Sequence, residues 1–119
     1  MAKIDRYNFG LIVIDGKQYV HDVLILPDGT VKKREPSKVR FGSHEIVWDD
    51  VVKIVNEQPQ VIVIGTGASG LSKLSVDVGV KLRQANIDLV ILPSSQAVEK
   101  FNQLTQEGGR VAALIHITC

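Results

Sequence analysis

The spacing of apolar and polar positions along the chain divides it into two parts with different periods. In the first third, short apolar runs are separated by turn dipeptides. Residues 9–14 end at Asp15-Gly16, a pair suited to the positive backbone angles of a tight hairpin, and residues 18–26 resume with β-branched and aromatic side chains. Pro27-Asp28-Gly29 supplies a second turn, since proline presets its own φ and glycine tolerates the left-handed region, and residues 30–34 begin a third strand. This part is expected to form a three-stranded antiparallel meander. Residues 35–44 hold only Val39 and Phe41 as apolar positions among Pro36, Ser37, Gly42 and Ser43, so they read as a connecting loop.

Beyond that loop the period lengthens from two to 3.6. Asp49 is placed to cap a short helix with Val51, Val52 and Val55 on one face and Trp48 nearby, stopped before Pro59. Val61 to Ile64 is apolar without alternation, as in strands buried on both faces. A glycine-rich loop follows, and then Leu74, Val78, Leu82 and Ala85 recur at helical spacing behind a capping Ser75. Residues 88–92 repeat the buried-strand signature. Ser94 and Ser95 are expected to cap a helix faced by Ala97, Phe101 and Leu104 and ended by Gly108-Gly109. Residues 110–118 close the chain as a strand whose consecutive Ala112 and Ala113 let a helix approach the sheet. Strand–helix–strand–helix–strand requires right-handed crossovers and a largely parallel sheet. The expected fold class is therefore α/β, a C-terminal βαβαβ half plus an N-terminal antiparallel meander that extends the sheet or packs beside it, with residues 1–119 as a single domain.

Composition narrows the function classes. Fourteen Lys and Arg stand against thirteen Asp and Glu, nine of each sign falling in residues 1–60, so no charge imbalance points to nucleic acid or a membrane surface. The one cysteine, Cys119, excludes an intrachain disulfide, and the longest apolar runs fall far short of the ~20 residues of a membrane span. No secretory leader is evident, and the cytoplasm is the expected location.

Candidate chemistry concentrates in the loop Gly65-Thr66-Gly67-Ala68-Ser69-Gly70, which matches GxGxxG directly after a strand and would let backbone N–H groups approach a phosphate. A dinucleotide site also needs an acid at the end of the second strand, and Asp88 sits before its strand. The P-loop frame fails because Leu71 stands where the phosphate-binding lysine belongs. Ligands of open α/β sheets bind beyond the carboxyl ends of the strands, which places this loop and Pro93-Ser94-Ser95 on one rim. His21, His44 and His116 lack the spacing of a helical metal pair, and Ser69 lacks the GxSxG frame of a nucleophile elbow. No metal and no cofactor are expected. Lys32, Lys33, Arg34, Lys38 and Arg40 form a basic run without interleaved aromatics, read either as a charged edge strand or as a surface for an acidic partner.

Three segments together, Val61-Ile62-Val63-Ile64-Gly65-Thr66-Gly67, Phe101-Asn102 and Gly109-Arg110-Val111-Ala112-Ala113-Leu114-Ile115-His116, resemble a small, largely uncharacterised single-domain family. The family is typified by a methanogen structural-genomics protein and includes the adipogenesis-associated domain protein and a mitochondrial respiratory complex I assembly factor. The opening hairpin, the Asp28-Gly29 turn and the Trp48 helix fall in the same order, so the resemblance covers nearly the whole chain. It implies a three-layer α/β domain with a mixed central sheet, and members that act as partners in assembly or regulation rather than as enzymes. Mapped onto this chain, its motifs single out Gly65, Thr66, Gly67 and Gly70, with Asn102 and Arg110.

These readings converge on a non-enzymatic binding or accessory module with an anion or small-ligand site formed by Gly65, Thr66, Gly67, Ser69, Gly70, Ser94 and Ser95, joined by Asn102 and Arg110 as an attracting cation. A protein or a small anionic ligand is the expected partner. The alternative is a small enzyme acting on a phosphorylated or carboxylated metabolite.

Overall fold

The computed structural model of the chain describes residues 2–35 and 45–119. Along the chain run β1 (Ile4–Asn8), β2 (Leu11–Ile14), β3 (Lys17–Tyr19), β4 (Val23–Ile25), β5 (Val31–Lys33) and β6 (Glu45–Ile46), then helix α1 (Trp48–Val55). They are followed by β7 (Val61–Thr66), β8 (Lys73–Leu74), α2 (Val76–Gln84), β9 (Asp88–Leu92), α3 (Ser94–Gln106) and β10 (Val111–His116). The protein is a small mixed α/β domain. One sheet has the order β1-β2-β3, all antiparallel; the larger has the order β5-β4-β10-β7-β9; β6 and β8 form a short parallel pair.

In the larger sheet β7, β9 and β10 are mutually parallel, in register from Val61 beside Val111 and Asp88 to Thr66 beside His116, while β4 runs antiparallel to β10. The side-chain alternation of a strand then sorts the core. Ile62, Ile64, Ala112 and Leu114 point to the face covered by Val51, Ile54, Val78 and Leu82 of α1 and α2. Val63, Ala113 and Ile115 point to the other, where Ala97 and Phe101 of α3 meet Ile4, Ile12 and Ile14 of the antiparallel sheet. All six residues of β10 are buried, which explains its apolar run from Val111 to Ile115 before His116.

Several expectations are corrected. Residues 18–26 are not one strand: β3 ends at Tyr19, and after Val20, His21 and Asp22 the chain joins the other sheet as β4. The cause is Asp22, whose carboxylate is drawn to the end of β10, so a straight strand cannot serve both sheets. The expected three-stranded meander is thus split, and β1, which carries Asp5, Arg6 and Asn8 among its five residues, replaces its third strand. Helix α1 begins at Trp48 rather than after Asp49, and it is Asp50 that accepts the Val47 N–H at 2.8 Å. β9 is an edge strand: Leu89 packs on the α1–α2 side and Val90 and Leu92 on the α3 side, but none of its residues is fully buried. The loop expected over 35–44 lies, Glu35 apart, outside the described residues, as do Lys38, Arg40 and His44.

Candidate functional site

β7, β9 and β10 end side by side, and the sequence between β7 and β8 forms the rim above them. Gly65 lies where a Cβ would stand 2.8 Å from Ser94 Oγ, so the first glycine admits the start of α3. Ser94 is fully buried and ties three strand ends together: its Oγ accepts the Gly67 N–H at 2.8 Å and donates to the His116 carbonyl, while its N–H donates to the Gly67 carbonyl at 3.0 Å. It therefore does not cap α3, whose N-cap is Pro93. Thr66 Oγ1 donates to the Leu92 carbonyl at 3.1 Å.

The loop's donors are largely occupied inside the protein. Ala68 N–H donates to the Thr118 carbonyl at 2.7 Å, Gly70 N–H to the Gly67 carbonyl at 3.2 Å and Ser72 N–H to the Thr66 carbonyl at 3.0 Å. The backbone of residues 118 and 119 runs directly over Gly67. Ser69 and Ser95 are exposed on the rim. Three large apolar side chains in connections at this end of the sheet also stand in solvent: Phe9, in the β1–β2 turn next to the Gly10 N–H that donates to the Ile117 carbonyl, Val20, two residues before the Asp22 that accepts the Ile117 N–H, and Leu71 in the loop itself.

Asn102 and Arg110 do not join this rim. The Asn102 side chain accepts the Ile4 N–H at 2.9 Å and donates to the Ile4 carbonyl at 2.8 Å, fixing β1 to α3 as a neighbouring strand would. Arg110 precedes β10, six residues long, so it lies roughly 20 Å from Gly67 at the opposite end of the sheet. Its guanidinium donates to the carbonyls of Glu57 (2.6 Å) and Gln58 (3.1 Å) in the α1–β7 connection. The expected convergence of this cation on the glycine loop is ruled out by strand direction: a residue at the start of a parallel strand cannot meet a loop at its neighbour's end.

Beneath the rim is a buried ionic cluster that sequence reasoning missed. Arg34 donates through Nη1 to Asp22 (2.8 Å), through Nε and Nη2 to the two oxygens of Asp50 (3.0 and 3.1 Å) and through Nη2 to the Glu45 carbonyl (3.0 Å). Its side chain is 4% exposed and that of Asp50 1%. Asp22 also accepts the Ile117 N–H at 2.9 Å and lies 2.7 Å from His116 Nδ1. The other ring nitrogen, Nε2, is 3.3 Å from Thr118 Oγ1. In sequence Arg34 belonged to a basic run read as a charged edge strand or a surface for an acidic partner, and Asp22 and Asp50 had no motif. The one available signal was a carboxylate interrupting the apolar stretch that ends at Leu26, where strand propensity disfavours it.

Burial by itself would raise the Asp22 pKa, but the hydrogen bonds from His116 and the Ile117 N–H, the charge of His116 and the Arg34 bond outweigh it and hold the group below the ordinary aspartate value of 3.8. Burial and the nearby Asp22 charge push the Tyr7 hydroxyl up; it donates to the Ile117 carbonyl at 3.2 Å. A carboxyl depressed in the folded state contributes stability that is present above its unfolded value and lost as pH falls through the folded one. Urea midpoints should therefore decline below about pH 4, and Asp22→Asn should flatten part of that decline. Parallel acid limbs for the two proteins would remove Asp22 from the account.

Among the described residues no group of three His, Cys, Asp or Glu side chains is disposed to hold a metal ion. No helix there is long and apolar enough to cross a membrane.

A small α/β domain with a mixed sheet, an antiparallel N-terminal sheet and an internally bonded rim is a fold already represented among solved structures. The match to a protein family of unknown function, DUF498/DUF598, extends over residues 4–116, and the chain belongs to that family. It is similar to MT938 at 27% identity and a TM-score of 0.85, all of both chains being covered. A conserved hypothetical protein from Pyrococcus horikoshii, PH1505, matches at 30% identity and TM-score 0.85 over 98% of this chain and 99% of that one. A protein from Bartonella henselae described as an outer membrane protein matches at 25% identity and TM-score 0.82 over 99% and 96%.

Proposed function

We propose that the protein is a non-enzymatic accessory module, acting as one domain, that holds a protein partner against the rim at the carboxyl ends of β7, β9 and β10. One contrast carries this reading. The N–H groups of Gly67, Ala68, Gly70 and Ser72 are bonded within the protein, whereas Phe9, Val20 and Leu71 in connections at this end of the sheet are 64%, 72% and 52% exposed. An anion site needs convergent free donors, and exposed large apolar groups gathered in one region mark interaction surfaces. The glycines serve chain packing in this account, and Ser69 and Ser95 supply polar contacts to a partner. A thermal-shift panel of nucleotides, dinucleotides, coenzyme A, phosphosugars and simple anions should leave the melting temperature unchanged. A saturable rise of several degrees with any of them would overturn the proposal.

The second reading, a small enzyme acting on a phosphorylated or carboxylated metabolite, has one observation in its favour. Asp22, His116 and Thr118 follow one another as carboxylate, imidazole and hydroxyl, an order that can activate a hydroxyl. Against it, His116 is 6% exposed and the adjacent cation, Arg34, is already held by two carboxylates. Turnover of phosphate or carboxylate esters that disappears in His116→Gln would establish it.

A further inference from the structure

The two edges of the larger sheet differ. β5 carries Lys32 and Lys33, both exposed, and lysines on an edge discourage pairing with another chain. β9, Asp88-Leu89-Val90-Ile91-Leu92, has a charge only at its first position, and its outer side has no partner strand among the described residues. A cleft flanks β9 on each face. On the α3 side about 450 Å³ opens under the end of the helix, lined by Asp88 and Val90 of β9, by Lys100, Leu104 and Glu107, and by the starts of β7 and β10 at Val61 and Val111. On the α2 side about 350 Å³ opens between Leu89 and the helix, where Gly79 leaves open space and Arg83 is among the lining side chains. On that same face of the sheet Ile91 is 47% exposed. A strand added to β9 would send alternate side chains into the two clefts, which is how edge addition obtains specificity beyond its main-chain hydrogen bonds.

The charge pattern selects the occupant. Lys100, Leu104 and Glu107 follow one another at i, i+4 and i+7 on the flank of α3 that borders β9, so this flank reads cation, apolar, anion. A pattern of that kind is complementary to itself when reversed. We propose that β9 pairs antiparallel with β9 of a second copy of this chain, about a two-fold axis normal to the sheet. This isologous contact joins the two five-stranded sheets into one of ten strands. Lys100 of each copy then faces Glu107 of the other on one side of the sheet. On the other side, Leu89 and Ile91 of the two copies meet beside the Gly79 gap. The contact uses the outer edge of β9 and not the loop that follows β7, so it is a proposal separate from partner binding at the rim.

Sedimentation equilibrium of the full chain is the direct test, and a concentration-dependent species at twice the mass of one chain is expected. Ile91→Lys changes a half-exposed side chain and should give a monomer with an unchanged far-UV circular dichroism spectrum. Lys100→Glu alone sets like charges against each other at both ends of the contact and should weaken dimerisation about tenfold. Adding Glu107→Lys to it restores opposite charges in the reversed sense and should recover the original affinity. A chain that stays monomeric at every concentration overturns the proposal, as does a dimer that survives Ile91→Lys or one whose affinity the charge exchange does not rescue. Saturable binding of an extended peptide to that monomer would assign the edge to a different protein.

Discussion

Gly67→Ala should lower the stability of the fold by about 4 kcal/mol, combining the strain of an unfavourable backbone conformation with a steric overlap the surroundings cannot relieve. Gly67 has φ of +102°, and a Cβ there would stand 2.6 Å from the Cys119 carbonyl oxygen and 2.7 Å from that of Thr118. Both opposing atoms are backbone, fixed in part by the Ala68 N–H bond to Thr118, so no rotamer change removes the clash. Gly10 supplies the control: its φ is +79°, but nothing lies within 4 Å of the Cβ position, and Gly10→Ala should cost only about 1–2 kcal/mol. Urea unfolding of the two variants separates close approach from backbone conformation. Equal losses would mean that the terminal segment does not rest on Gly67, and the loop would again be available as a ligand cradle.

Removing Arg34 should be as damaging for a different reason. Arg34→Ala leaves Asp50, 1% exposed, and Asp22 without their shared cation, and stranding a buried charge costs about 3–5 kcal/mol. The cost belongs to the stranded partner more than to the ion pair, so the Arg34→Ala, Asp50→Ala double variant should lose markedly less than the sum of the two single losses. Additive losses in chemical denaturation would show that the two side chains act independently. The cluster joins the start of α1, the end of β5 and the end of β10, three elements far apart in sequence. Its disruption should also lower hydrogen-exchange protection at Ile117, whose N–H is held by Asp22.

The glycine motif illustrates how one sequence pattern admits two physical uses. GxGxxG after a strand is compatible with a phosphate cradle and with a crowded chain crossing, because both require the absence of Cβ atoms and positive φ. At Gly67 the crowding comes from residues 118 and 119, fifty positions away in the chain. Ser94 is a similar case: a serine before a helical pattern suggests a cap, yet here its hydroxyl links β7 to β10.

By itself the sequence determined the α/β class, the three helices, the parallel β7-β9-β10 half and the placement of the glycine loop at its carboxyl ends. Those features follow from local periodicity and from turn residues whose backbone preferences are intrinsic. Arg110 and Asn102 were legible as motif members, and their roles in fastening Glu57, Gln58 and Ile4 were not. Tertiary structure alone decided that residues 18–26 divide between two sheets, that β9 lies at an edge, and that Arg34 is buried between Asp22 and Asp50. Each of these depends on strand order and on partners distant in the chain. Periodicity records which side of an element is apolar, but not which element covers it.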